Sequence, residues 1–411
     1  VEQSGTTTSA TEEAPAAGGP LVVFFDDGAE ATTELLGGKC LGLADMTVAG
    51  LEVPPGFAVT TLAHRRCLEP ALLRWLESPH AAGHHVLNGG GAASSEPVGA
   101  GEAGQPAELA EPGHHDGPPL HGYDPGPRDL ADLPQGEMAV LHDIAEHVPL
   151  AAEVVEGIEA AYEELGRRSG LSDPPVAVRS SGQIEDGGEA SFAGQFDTYL
   201  WVVGTQAVLE AVRRVWTGSL ASSALSYRIE RDLGFGFSPM AIAVQLMVDA
   251  RSAGVMFTLD PRTGDRSRVV IESSWGLGES VVAGDVQPDR VSVNKVTGAL
   301  TVEEVGTKEH ERRFDPVAGG VVDVPVEPER REALSLSEEE VRQLVGLGRR
   351  LEQLRGGAQD VEWAIDRKGK VSLLQVRPET VWSARQHEAE APPGRSALDC
   401  VAALFKREIV R

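Results

Sequence analysis

Apolar residues along this chain follow two rhythms, one of period two and one near 3.6, and the alternation between them outlines the fold. "PLVVFFDDG" predicts a strand and turn, "TELLGGKCLGLADMTVAG" a glycine turn opening a helix, and "VPPGFAVTTLAHRRCL" a strand leading into another helix. Residues 137–170 carry a helical period that ends on Gly170, a plausible C-cap because glycine adopts the left-handed backbone at no steric cost. "PPVAVRSS" predicts a strand and "TQAVLEAVRRVWTGSLASSALSYRIERDLG" a helix. From "MAIAVQLMV" onward strands dominate, in "AGVMFTLD", "RVVIESSWG" and "DRVSVNKVTGALTVEEV". A last helix, "LSEEEVRQLVGLGRRLEQLRG", opens with a capping-box signal, Ser337 followed three residues later by Glu340. Helices and strands interleave without a regular βαβ beat, which predicts an α+β class.

The stretch "QDVEWAIDRKGKVSLLQVRPET" at residues 359–380 predicts a hairpin turning on Lys368-Gly369. A two-residue turn there sets Glu362 opposite Gln375 and Asp360 opposite Arg377, all four on one face. The other face carries Val361, Trp363 and Ile365 against Val376 and Leu374, a buried side. Oxygen donors of this kind suit Mg²⁺, which takes one or two carboxylates plus phosphate oxygens, while an arginine fork clamps a phosphate. A surface hairpin with an Asp–Arg cross-strand pair would use the same residues.

Residues 80–135 break the globular pattern, being rich in glycine and proline and nearly without apolar clusters, and predict an insertion. Its histidines (His80, His84, His85, His114, His115, His121) have no spacing specific to a metal, so solvated linker is the expectation. Residues 1–20 predict a disordered leader without the basic and apolar regions of a signal peptide.

Length and charge narrow the function. The 411 residues suffice for two lobes, expected at 21–240 and 241–382, with a tail at 383–411. Thirty-six Lys+Arg against 63 Asp+Glu give a formal net charge of −27, which argues against a nucleic-acid or anionic-membrane partner. An acidic chain that binds phosphates must concentrate its few cations locally. Three cysteines, Cys40, Cys67 and Cys400, are an odd number without metal-ligand spacing and predict a reducing, cytoplasmic setting. No apolar run approaches the roughly 20 residues of a membrane span.

Three glycine-bearing stretches could bring backbone N–H groups to an anion. "LLGGKCLGLA" places Lys39 at a helix start; it lacks the spacing of the GxxxxGK[ST] loop, and a plain surface lysine would look the same. "VAVRSSGQIEDGGEASFAGQFDTYL" brings Arg179 out of a buried strand, where it needs a carboxylate or a phosphate, and the small residues from Glu185 to Gln195 could fold over a triphosphate as a flap. "ESSWGLGESVVAGDVQPD" offers Glu279 to a ribose hydroxyl, or simply to a helix start. Two cations, a flap, a nucleoside acceptor and a metal-plus-arginine hairpin are the equipment of phosphoryl transfer, which depends on positioning and charge neutralisation.

These stretches, together with "MAIAVQLMVDARSAGVMFTLDPRTG", resemble in order the ATP-grasp nucleotide-binding domain of the phosphoenolpyruvate synthase and pyruvate phosphate dikinase family, shared with rifampin phosphotransferase and the ATP-binding subunit of phenylphosphate synthase. The resemblance covers about residues 21–382, interrupted by the insertion, and implies two lobes clasping the nucleotide. It implies that Lys39 and Arg179 hold the phosphates and that Gln245 to Val248, Met247 included, line the adenine. Glu279 would hold the ribose, Glu362 and Gln375 would bind Mg²⁺ with Asp360 in support, and Arg377 would contact the γ-phosphate. In such enzymes ATP passes its terminal two phosphates as a unit to a carrier histidine, leaving AMP, and the histidine then passes one phosphoryl group onward.

Two departures stand out: Cys40 occupies a position that is commonly glycine, and the segment after Trp382, with His387 in a polar acidic setting, does not resemble the family's carrier-histidine domain. The expectation is an ATP-binding subunit of a split dikinase-type phosphotransferase, with the carrier histidine on a partner protein and an unknown small-molecule acceptor. The alternatives are a self-contained ATP-dependent kinase or synthetase acting on a small molecule, in secondary metabolism or antibiotic modification, and a non-catalytic nucleotide sensor. The full set of Lys39, Arg179, Glu362, Gln375 and Arg377 weighs against a sensor, which has less use for a metal and a clamp together.

Overall fold

The computed structural model describes residues 19–28, 31–76, 148–182, 198–218, 239–380 and 382. The leader up to residue 18, the insertion at 80–135, the flap from Glu185 to Gln195 and the tail from residue 383, with His387 and Cys400, lie outside the described residues, as do the helical expectations at 137–147 and beyond 218.

Two antiparallel sheets organise the described chain. The first is built from β1 (Val22–Phe24), β2 (Gly56–Val59), β3 (Val176–Ser181), β4 (Thr198–Val202) and β5 (Ala241–Leu246), in the order β1-β2-β5-β3-β4. β5 sits at its centre, which is why "AIAVQL" is almost wholly apolar and buried. The chain leaves this sheet at residues 247–249. The second sheet holds β6 (Ala250–Phe257), β7 (Arg268–Trp275), β8 (Asp289–Asn294), β9 (Leu300–Glu304), β12 (Gln359–Asp366) and β13 (Val371–Pro378), in the order β13-β12-β6-β7-β8-β9. A separate two-stranded ribbon, β10 (His310–Asp315) with β11 (Gly320–Pro325), has no counterpart among the sequence expectations; β10 is largely charged, while β11 carries three valines and one aspartate.

The helices follow their caps. α3 (Ala152–Ser169) ends on Gly170 at φ 72°, whose N–H donates to the Gly166 carbonyl. α7 (Glu338–Arg355) begins with the capping box, Ser337 and Glu340 each satisfying the other's backbone N–H. α1 (Thr33–Val48) is interrupted at Gly37 (φ 67°, ψ 173°), so the continuous helix begins just before Lys39. α2 (Thr61–Leu76), α4 (Thr205–Gly218), and the four-residue α5 (Glu279–Val282) and α6 (Pro328–Arg331) are the other helices among the described residues.

α3 and α4 cover one face of the first sheet, burying Val154, Ile158, Val212 and Trp216 against Val176, Val178, Ile242 and Val244. Within this core His64 of α2 is fully buried, stacks on Trp216 at 4.8 Å, and accepts the Met240 N–H at Nδ1 over 2.8 Å. α1 joins the sheets: Leu36, Cys40, Leu43 and Met46 share a core with Ala58 and Ala243 of the first and with Val361, Trp363 and Val376 of the second. α7 packs into the same core through Leu344 and Leu351. The sulfur of Cys40 thus belongs to the interior, which removes it from any role at an anion.

The closing hairpin departs from a two-residue turn. Asp366 and Lys370 close a three-residue loop, with Gly369 at φ 83°, and the Asp366 carboxylate accepts the N–H groups of Lys368 and Lys370. That slips the pairing near the turn, so Ile365 faces Val371 and Trp363 faces Leu373. An extra residue at Leu374 then restores it, and Glu362 faces Gln375 and Asp360 faces Arg377 as expected. The core face consequently takes Leu373, fully buried, in place of the expected Leu374.

Candidate functional site

Parity in β12 decides which side chains face the cleft. Val361, Trp363 and Ile365 point into the core, so Asp360, Glu362 and Ala364 point the other way. On β3 the chemistry is set by Arg179, emerging from the first sheet toward them. One of its nitrogens, Nη2, donates to Glu362 Oε2 and to Gln375 Oε1, both at 2.7 Å. An acid and an amide on adjacent strands of one sheet therefore converge on a single cation from the other. Two residues along the same pair of strands and on the same face, Arg377 grips Asp360, with Nε and Nη2 at 2.7 and 2.6 Å from Oδ2.

Lys39 completes the group through α1. The break at Gly37 is forced by proximity: a Cβ there would lie 2.1 Å from the Ser181 carbonyl oxygen, so only glycine lets β3 and α1 touch. Ser181 fixes the junction, its hydroxyl donating to the Leu36 carbonyl at 2.7 Å and accepting the Cys40 N–H at 3.0 Å. Burial pushes the Glu362 carboxyl up, but the charges of Arg179, Lys39 and Arg377 outweigh it, and its pKa falls below the usual carboxylate range. At Asp360 the balance reverses. Desolvation exceeds the pull of Arg377, with Glu362 adding like-charge repulsion, so its pKa is raised.

The apolar end of the cleft lies where the chain crosses between sheets. Met247 and Val248 pack with Ala253, Leu277, Ala364 and Leu374, and with Leu200 and Trp201 from β4. The bulge on β13 is what turns Leu374 into this patch and away from the core. Gln245, just before it, is 3% exposed, and its Nε2 has no hydrogen-bond partner among the described residues. Glu279 opens α5 two residues beyond Leu277 and pairs with Arg312 Nη1 at 3.1 Å. The structure thus gathers Lys39, Arg179, Asp360, Glu362, Gln375 and Arg377 tightly, puts Met247 and Val248 on an apolar wall, and leaves Glu279 engaged in an ion pair.

Sequence reasoning missed Leu277 and Glu272 and put Leu374 on the core face. Glu272 faces Val255, which in turn faces Glu362, so it extends the acidic row across the sheet. Burial raises its pKa, against Arg262 and with Asp360. An acid in the apolar run "RVVIESSW" was the available signal.

The oxygen set passes a chemical test for Mg²⁺. Glu362 and Gln375 oxygens meet at one cationic position, a set of one carboxylate and one amide oxygen that suits a hard divalent cation.

The sequence profile of the family described as pyruvate phosphate dikinase, AMP/ATP-binding domain matches residues 33–396. A phosphoenolpyruvate synthase of Aeropyrum pernix is 34% identical over 402 residues, covering 91% of this chain and 44% of its own length. A prodigiosin synthesizing transferase, PigC, of Serratia marcescens is 34% identical over 345 residues, 84% of this chain and 31% of its own. The chain therefore spans less than half the length of these relatives. Among solved structures, D-alanyl-alanine synthetase A of Vibrio cholerae aligns over 55% of this chain and 47% of its own at 11% identity and a TM-score of 0.24. No helix among the described residues is long and apolar enough to cross a membrane.

Proposed function

The chain belongs to the pyruvate phosphate dikinase AMP/ATP-binding domain family, with an α+β ATP-grasp fold, and from that premise we propose that it binds Mg-ATP between its two sheets and passes the terminal two phosphates to a carrier histidine outside residues 1–411. The observation that carries the reading is the convergence of Arg179, Glu362 and Gln375 on one point, flanked by Lys39 and Arg377. In this reading Glu362 and Gln375 hold the metal and Asp360 orients Arg377 toward the γ-phosphate. A bound Mg²⁺ would supply charge neutralisation at the phosphate oxygens.

Lys39 and Arg179 neutralise the remaining phosphate charge, and Met247, Val248, Leu277 and Leu374 sandwich the base. Gln245 offers it a buried amide N–H, a donor with no other partner among the described residues. Glu279 would exchange Arg312 for a ribose hydroxyl. Transfer to the carrier breaks the bond between the α–β bridging oxygen and the β-phosphorus; that oxygen leaves with AMP, and an imidazole nitrogen takes the pyrophosphoryl group. The carrier is a partner protein or a further part of a longer chain, and a small molecule is the final acceptor.

A second reading, direct phosphorylation or activation of a small molecule, is favoured by the match to a prodigiosin synthesizing transferase. Product analysis with Mg-ATP, alone and with a carrier-histidine domain, separates the two. AMP formed only with the carrier supports the first, and AMP or ADP formed without it, given a small acceptor, supports the second. Glu362→Ala and Arg377→Ala are expected to abolish turnover with an unchanged circular-dichroism spectrum; full activity in either would overturn the site.

A further inference from the structure

At the turn end of the β12–β13 hairpin a cavity of about 370 Å³ is lined by Arg251, Arg313, Arg330 and Arg367, with Glu311 and Trp275. It is separate from the acidic face. Ala250 pairs with Asp366 at the cavity, whereas Val255 pairs with Glu362, and five residues of strand place them about 15 Å apart. Two backbone irregularities build it. A bulge at Arg251 re-aims that side chain. Gly276, at φ 76°, lets β10 approach so closely that a Cβ would lie 2.3 Å from the Arg312 carbonyl oxygen, which brings Glu311 and Arg313 to the wall.

The arginines are braced rather than consumed. Arg251 reaches Glu340 at 2.5 Å, Arg330 reaches Glu311 at 2.7 Å and Glu327 at 3.1 Å, and Arg367 reaches Asp249 at 2.8 Å. Arg313 lies 3.8 Å from Glu311. Each guanidinium carries five N–H donors, and these contacts use one or two, so every fork keeps donors in hand. Arg330 also lies 4.5 Å over the Trp275 ring, whose indole N–H is held by the Arg330 carbonyl.

Glu340, Glu327 and Asp249 pair with these arginines without lining the cavity themselves, and Glu311 is the one carboxylate among the lining residues. A chain of net charge −27 has thus concentrated four cations on one cavity, whose forks come from separate segments: β6, β10, α6 and the β12–β13 turn. Donors arriving from several directions suit a tetrahedral phosphate better than a flat carboxylate.

We propose that this cavity is a second anion site, which takes a small phosphorylated compound independently of the nucleotide cleft. The test is calorimetric titration of the full chain with pyrophosphate at 0.15 M salt, with the cleft saturated by Mg²⁺ and the α,β-methylene analogue of ATP, which lacks the bridging oxygen at which transfer cleaves. One-to-one binding is expected, weakened at least tenfold in Arg313→Gln/Arg367→Gln, whose side chains are 46% and 56% exposed and outside the core. Arg342→Gln, on the exposed face of α7, should bind like the wild type. Absence of binding, an unchanged affinity in the double variant, or tighter binding of citrate would overturn the proposal. Loss in Arg377→Ala with retention in the double variant would also overturn it, by moving the anion to the cleft.

Discussion

His64 makes the first lobe acid-sensitive, and the size of the effect can be worked out. The imidazole is fully buried, and desolvation lowers its pKa from 6.5 to about 3. The neutral ring suits its place, since Nδ1 must accept the Met240 N–H. In the unfolded chain the same side chain titrates near 6.5. The stability drawn from the depressed pKa is therefore complete above 6.5 and lost as pH falls from there toward 3, at about 1.4 kcal/mol per pH unit. Between pH 7 and pH 5 the loss is about 2 kcal/mol. The assay is urea unfolding at both pH values, followed by tryptophan fluorescence, to which Trp216 stacked on His64 contributes. His64→Gln keeps an acceptor but cannot charge, and carboxylates elsewhere cancel in the difference between the two proteins. If wild type and His64→Gln lose the same stability between pH 7 and pH 5, the reasoning is wrong. Met240 directly precedes β5, so acid should loosen the strand that carries Gln245 before it touches the charged hairpin.

Other expectations concern residues remote from each other. Gly37→Ala combines a positive-φ, extended-ψ backbone that is essentially confined to glycine, costing about 1–3 kcal/mol for a residue with a Cβ, with a collision against the Ser181 carbonyl; it should displace Lys39 and weaken binding of the Mg-ATP analogue at least tenfold by calorimetry. Lys308, wholly buried, donates to Asp289 and to the carbonyls of Gly306 and Arg331. Lys308→Met strands the Asp289 charge and should cost about 3–5 kcal/mol in denaturant unfolding, part of which Lys308→Met/Asp289→Asn recovers. Equal stability of the single and double variants would contradict that account.

The charged face of the hairpin was legible because strand alternation is local: knowing that Trp363 is core commits Glu362 to the other side. The turn was misread because an aspartate carboxylate, Asp366, captures two backbone N–H groups and favours a longer loop, and the offsetting bulge at Leu374 leaves no mark in composition. Leu374 was therefore assigned to the core when it faces the cleft. The caps of α3 and α7 were plain, each being written within a few residues. The β10–β11 ribbon was not, since charged residues on both its faces hide the period of two. The partners of Arg179 could be named only as a class, because Glu362 lies 183 residues away and no local pattern spans that gap.

The bridge from Arg179 to Glu362 and Gln375 also bears on what the cleft accepts. A divalent ion arriving alone must evict a guanidinium and offer it nothing in return. A nucleotide arriving alone would draw Arg179 to its phosphates and leave the partly buried Glu362 without that partner. Only the two together trade one cation for another at the acid while giving the arginine a new anion. With the metal and nucleotide roles proposed above, the contact that ties the sheets would act as a coincidence gate, making the affinity for each ligand depend on the presence of the other.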